Sequence, residues 1–166
     1  MDIKSILNSG DVLRFHALPR IEKQTLSQHQ WGVAIICKYL KDNIKADELM
    51  LALTHDATEL ITGDIPATFK WSFPEIKNIL NDVENQITFI PTYECDKDFK
   101  YVLKIADMIE GMIYCYNQYY VGNNEGKRVY FIWKNALSKY IQNNTEISPK
   151  IIYRAQILLK EYEINE

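Results

Sequence analysis

The sequence predicts an all-α protein, a bundle of about six to seven helices forming one domain over residues 1–166. Apolar residues recur at helical spacing through most of the chain. Helix start and stop signals fall between those periodic segments: Ser and Thr caps, Pro near first turns, Gly and Asn at ends. Strand-like pieces such as ENQITFI are embedded in segments of helix length, so they do not argue for a sheet.

The elements follow in order. A short first helix covers about 2–8 and ends at Gly10. Residues 11–24, interrupted by Pro19, read as a loop. Thr25 or Ser27 caps a second helix, which runs to about Leu40 with Trp31, Ala34, Ile35 and Tyr39 on one side. A third covers about 46–61 and stops near Gly63. GDIPATFKW is a loop or short turn. Ser72-Phe73-Pro74-Glu75 opens a fourth helix with Pro near its first position, and that helix ends before Pro91. A long fifth, about 96–121, is closed by Gly122-Asn123-Asn124. A sixth covers about 125–142, and Ser148-Pro149 starts the last, to about 163.

Composition narrows the function classes. Hydrophobic residues make up 47% and charged residues 25%, and the net charge is −3. No basic block or stripe is present, which argues against binding a nucleic-acid polymer but leaves room for a small phosphorylated substrate. Cys37, Cys95 and Cys115 match no zinc or redox spacing and read as small hydrophobes of a reducing compartment. The first residues do not read as a secretory signal. No apolar run approaches the roughly 20 residues of a membrane span. Together these place the protein in the cytoplasm, or in a host's cytoplasm if phage-encoded.

Chemistry concentrates around the histidines. His55 and Asp56 are adjacent inside the predicted third helix, within LALTHDATEL, between Leu51, Leu53 and Leu60. Burying such a pair costs several kcal/mol unless a cation or other polar groups compensate. His29 is one turn into the second helix, and Asp107 lies on the inner face of the fifth, in YVLKIADMIEGM. Three helices thus each offer a ligand from a buried position, as helix bundles do when they build metal sites. Taken singly, His29 also fits a helix-start residue, and Asp107 a partner for Lys104. Two imidazoles and two carboxylates suit one divalent ion: Mn, Fe, Co, Ni, Zn or Mg. Such an ion activates water and neutralises phosphate charge.

Two further acids follow. Glu59 is four residues after His55 and three after Asp56, on the same face of a helix. Asp64 lies in the turn after Gly63. Either can move protons for an attacking water or a leaving oxygen, or be a solvated or turn acid. Arg14 is a candidate phosphate clamp, Phe15 a candidate stacking group for base or sugar, and Lys70 a weaker cationic candidate.

The pattern Arg14-Phe15, Ser27-Gln28-His29, His55-Asp56-Ala57-Thr58-Glu59, Thr62-Gly63-Asp64-Ile65-Pro66, Lys70, Ala106-Asp107 and Gly122-Asn123-Asn124-Glu125 resembles the HD-domain phosphohydrolases. The most similar branch is the bacterial 5′-deoxynucleotidases, with phage dATP triphosphohydrolases as the competing branch. The resemblance implies an HD-type helical fold, often dimeric or larger, acting on deoxynucleotides. It implies His29, His55, Asp56 and Asp107 as metal ligands, Glu59 and Asp64 as catalytic acids, and Arg14 as the phosphate contact. Phe15 stands where the deoxynucleotidases commonly carry Trp, Gln28 where they carry Glu, and Ala67 where a hydroxyl is common. These departures surround the substrate and leave the metal set intact. Leu60 after Glu59 departs from the guanosine tetraphosphate hydrolases. A catalytically silent HD scaffold is the alternative from another class, and it has no need of Glu59 and Asp64. A bundle needing no metal is the third.

Overall fold

The computed structural model describes residues 2–87 and 90–165, without the side chains of residues 68, 71, 74 and 77. The chain runs from α1 (Ile3–Ser9) through β1 (Leu13–Arg14) and β2 (Gln24–Thr25) into α2 (Leu26–Leu40), α3 (Ala46–Thr54), α4 (Glu59–Thr62) and α5 (Ala67–Ser72). It continues through α6 (Pro74–Gln86), α7 (Phe99–Tyr120), α8 (Asn124–Asn143) and α9 (Pro149–Glu161). The predicted helical bundle is present, with two short helices, α4 and α5, beyond the seven expected.

Helix α7 is the central element. Its residues Phe99, Val102, Ile105, Ala106, Ile109 and Met112 are fully buried, and Tyr101, Met108, Tyr114 and Cys115 nearly so. A helix apolar over so much of its circumference needs neighbours on several sides, and α2, α8 and α9 supply them. Gly126 lets α8 settle directly on α7, since a Cβ there would stand 2.6 Å from the Cys115 carbonyl oxygen. Thr25 caps α2 through a capping box, accepting the Gln28 N–H while its own N–H donates to Gln28 Oε1. Gln28 is therefore committed to starting the helix that carries His29. No helix among the described residues is long and apolar enough to cross a membrane.

Four sequence expectations are corrected. The 11–24 segment contains an antiparallel ladder pairing Leu13 with Thr25 and Arg14 with Gln24. Two residues per strand are too few to leave an alternating pattern. GDIPATFKW is partly helical, because Ala67–Ser72 winds from the Pro66 carbonyl, which accepts the Lys70 N–H at 3.1 Å. On α2 the side carrying Trp31, Ile35 and Tyr39 is exposed, and Ala34 joins the buried Val33, Ile36, Cys37 and Leu40. Finally, the expected 46–61 helix is broken. After Thr54 the backbone tightens: Ala57 donates to Thr54, Glu59 to Asp56 and Leu60 to Ala57, each three residues back. His55 and Asp56 therefore sit in a turn between α3 and α4. Part of the rejected strand, Thr88 and Phe89, lies outside the described residues.

Candidate metal centre and substrate cavity

Three elements bring four ligand atoms together. His29 from the first turns of α2, His55 and Asp56 from the α3–α4 turn, and Asp107 from the middle of α7 place one donor atom each within 4.8 Å of one another. His29 Nε2 is 3.6 Å from Asp56 Oδ2 and 3.5 Å from Asp107 Oδ1, and His55 Nε2 is 3.4 Å from Asp56 Oδ2. These distances are too long for good hydrogen bonds and suit donors arranged around a common ion. The other nitrogen of each ring is engaged. His55 Nδ1 donates to the Ala52 carbonyl at 2.9 Å, and His29 Nδ1 donates to Glu110. Each ring therefore turns an Nε2 lone pair to the centre, the tautomer a metal ligand needs. Both Nε2 atoms are buried without a hydrogen-bond partner among the described residues. Such orphaned acceptors facing two carboxylates fit a divalent cation, and the N/O donor set suits Mn, Fe, Co, Ni, Zn or Mg.

The electrostatics of the cluster agree. Burial and the Arg14 charge disfavour positive charge at His29, but its contacts with Asp56 and Glu110 outweigh them and raise it, so the acids around the ring favour a cation at the centre. Burial opposes ionisation of Asp56, yet His55, His29 and Arg14 hold it well below the usual carboxylate range. Asp107 is likewise lowered, by Lys104 and His29 against burial.

Beside this centre lies a cavity of about 300 Å³ whose walls include Arg14, Phe15, Asp56, Glu59, Asp64, Lys70 and Asp107. Every residue that the sequence nominated for catalysis or substrate contact thus lines one cavity. Arg14, buried on β1, places Nη1 2.9 Å from Asp56 Oδ2 and 3.8 Å from Glu59 Oε2. Glu59 opens α4. Burial first, and the Asp56 charge second, push its carboxyl up to about 8, which favours its protonated form. Asp64 Oδ2 accepts the Phe15 N–H at 2.8 Å. Phe15 itself has φ 52°, a left-handed backbone uncommon outside glycine, and its ring stacks on Tyr114 with centroids 4.6 Å apart.

Several residues escaped the sequence reading. Glu110 is spaced from Asp107 as a helical neighbour three residues on, a signal that the segment YVLKIADMIEGM carried. Lys104 pairs with Asp107 Oδ2 at 2.7 Å, as the sequence suggested, but it also lines the cavity as a further cation that the sequence reading did not nominate, and Trp133 adds an aromatic wall. The loop after Phe15 is held by α7 and the α7–α8 turn. Tyr114 Oη and Gln118 Nε2 donate to the Glu22 carbonyl at 2.7 and 3.0 Å, and Asn123 Nδ2 donates to that of Pro19 at 2.8 Å. This gives the Gly122-Asn123 motif a structural task.

Comparison with known proteins converges on one group. The family described as 5′-deoxynucleotidase YfbR-like matches residues 10–89. The chain is 28% identical to a dATP triphosphohydrolase of Acinetobacter phage SH-Ab 15497, over 90% of this chain and 84% of that one. It is 26% identical to a 5′-deoxynucleotidase of Pasteurella multocida, over 70% and 73%. Among solved structures, the fold resembles a cyanophage S-2L HD phosphohydrolase bound to dA and one catalytic Zn²⁺ ion, with a TM-score of 0.76 at 18% identity, covering 97% and 98% of the two chains.

Proposed function

We propose that the chain, whose residues 10–89 match the family described as 5′-deoxynucleotidase YfbR-like, is a metal-dependent phosphohydrolase of deoxynucleotides of the HD-domain type, working as a single domain over residues 1–166. The leading activity is that of a 5′-deoxynucleotidase, which cleaves a deoxyribonucleoside 5′-monophosphate to deoxynucleoside and phosphate. The observation that carries this reading is the convergence of His29, His55, Asp56 and Asp107 within 4.8 Å, on the wall of the cavity that also holds Arg14 and Glu59.

The four residues would hold one divalent ion. When bound, such an ion neutralises phosphoryl charge and acidifies water. The remaining work falls to the chain. Arg14 presents a permanently charged fork to the phosphate oxygens. Lys70 adds a second charge from α5. Glu59, protonated in the ground state, delivers its proton to the departing 5′ oxygen. Asp64 serves as the second proton-transfer acid while its Oδ2 keeps Phe15 in place. Phe15 packs against the sugar.

A second reading, hydrolysis of deoxynucleoside triphosphates, is favoured by one observation: three cations, Arg14, Lys70 and Lys104, line the cavity. The similarity to the phage dATP triphosphohydrolase supports the same reading. A silent scaffold is disfavoured by retention of both Glu59 and Asp64. The exposed Trp31, Ile35 and Tyr39 of α2 support a homo-oligomer, and the free thiols Cys37, Cys95 and Cys115 support a cytoplasmic setting. The test is phosphate release from matched deoxy- and ribonucleoside mono- and triphosphates with Mn²⁺, Co²⁺ and Zn²⁺, with products separated by chromatography. Phosphate from deoxynucleoside monophosphates is expected. Release of a triphosphate chain instead selects the second reading, and no turnover with any metal overturns both.

A further inference from the structure

We infer that Glu110 is a positioning residue for the metal centre, and that Gln24 and Gly32 exist in part to hold it against His29. The inference rests on the reading of His29 as a metal ligand and goes beyond it.

Glu110 lies on α7 one turn beyond Asp107, nearly buried at 7% exposure. A carboxylate removed from water is costly unless its oxygens are engaged. Here both are. Oε2 accepts the His29 Nδ1–H, and Oε1 accepts Gln24 Nε2–H at 2.7 Å. Two donors on different elements, β2 and α2, fix the plane of the carboxylate. Gln24 directly precedes Thr25, the cap of the helix that carries His29, so the strand end and the helix start are tied to one acid.

Space for this arrangement comes from Gly32, three residues after His29 on α2. A Cβ at position 32 would stand 2.9 Å from Glu110 Cγ. That atom is in the middle of the side chain, so the carboxylate would have to move. A glycine in a helix interior costs about 0.5–1 kcal/mol relative to alanine. Its presence here is explained by the room Glu110 needs.

The consequences fall on the far side of the His29 ring. With Nδ1 donating to Glu110, Nε2 is left as a lone pair, buried and unpartnered, aimed between Asp56 and Asp107. The negative charge behind the ring makes that lone pair more basic, and the fixed plane removes the cost of orienting the ring at binding. A carboxylate behind a metal-ligating imidazole acts in this way. Glu110 touches neither the cavity nor any reacting atom, so its effect belongs in ion affinity, not in the chemical step.

The test uses Co²⁺ as probe, with the full chain. Co²⁺ affinity is measured by chelator competition, the visible absorption of the Co²⁺ protein reports ligand geometry, and kcat is measured at saturating Co²⁺. Glu110→Ala is expected to weaken Co²⁺ binding by about 10–100-fold. Glu110→Gln, which keeps an acceptor oxygen but loses the charge, should fall between it and the wild type. Gly32→Ala alters no polar group and should weaken binding by displacing Glu110. In all three, kcat at saturating Co²⁺ stays within a few-fold of wild type and the absorption band shifts. Wild-type Co²⁺ affinity in both Glu110→Gln and Gly32→Ala overturns the inference. So does a loss of kcat at saturation with affinity unchanged. If the wild type binds Co²⁺ but hydrolyses no nucleotide, the functional reading fails and this one stands. If the wild type binds no Co²⁺, both fail.

Discussion

Arg14 Nη1 stands 2.9 Å from Asp56 Oδ2 and 3.8 Å from Glu59 Oε2, so a single buried guanidinium links a candidate metal ligand to the candidate proton donor. A phosphate entering the cavity meets this arginine already oriented by two acids. Orientation before binding lowers the entropic cost of the contact.

Replacing Arg14 by alanine should therefore lower kcat/KM for a deoxynucleotide by more than tenfold, about 1.4 kcal/mol, with the divalent ion still bound. Steady-state kinetics beside metal analysis of the purified variant check this. An Arg14→Ala enzyme with wild-type kcat/KM would remove β1 from the site.

Glu59 carries a pH signature. Its carboxyl is pushed up to about 8 by burial and by Asp56. An acid with a raised folded pKa binds its proton more tightly when folded, so it costs nothing below the ordinary glutamate range. The cost grows as pH rises toward about 8 and is complete above it. Metal-free Glu59→Gln should match the wild type in melting temperature at acidic pH and exceed it increasingly up to pH 9. The same variant should retain metal and lose about 10²–10⁴-fold in kcat. A melting difference that stays flat with pH would contradict the assignment.

Phe15 and Asp64 bear on sugar choice. The left-handed Phe15 backbone is held by the Asp64 acceptor and by stacking on Tyr114. Phe15→Ala should reduce the deoxy-to-ribo ratio of kcat/KM more than it reduces kcat/KM for the deoxy substrate. Asp64→Ala, which also frees the backbone, should shift the ratio and lose kcat besides. Matched deoxy and ribo substrates provide the measurement, and an unchanged ratio in Phe15→Ala would place the ring away from the sugar.

Much of this site was legible in the chain. Residues His29, Asp56 and Asp107 stood out because each is polar in an apolar helical context, and burial of such groups demands compensation. The break at His55 was not legible, since apolar periodicity continues through 46–61. What ends the helix is the tightening of bonds after Thr54, together with the His55 ring taking the Ala52 carbonyl. The outward turn of Trp31 and Ile35 was hidden for a related reason. Both sides of α2 carry large apolar residues, and only packing on α7 decides which is buried. Glu110 was within reach: its spacing from Asp107 is the one that linked Glu59 to Asp56.

Close helix packing gives a prediction about stability. Gly126→Ala places a methyl 2.6 Å from the Cys115 carbonyl oxygen and 2.7 Å from the Tyr119 nitrogen. Backbone atoms cannot yield as a side-chain end does, so α8 must shift. Alanine for glycine in an open helix interior gains about 0.5–1 kcal/mol. Here denaturant unfolding should show a loss of about 1–3 kcal/mol, as overpacking gives. A stabilised variant would mean that α8 does not lie this close to α7.

The metal centre is tested most directly by counting ions and following activity through their removal and return. Protein purified without chelator should carry one divalent ion per chain. Chelation should abolish phosphate release while helix content persists, because the helices that bear the ligands bury apolar faces of their own. One equivalent of Mn²⁺, Co²⁺ or Zn²⁺ should restore turnover in the wild type, and Asp56→Ala should remain folded and inactive at that loading. Full activity after complete chelation, or an Asp56→Ala variant that binds metal and turns over like the wild type, would contradict a centre built from His29, His55, Asp56 and Asp107.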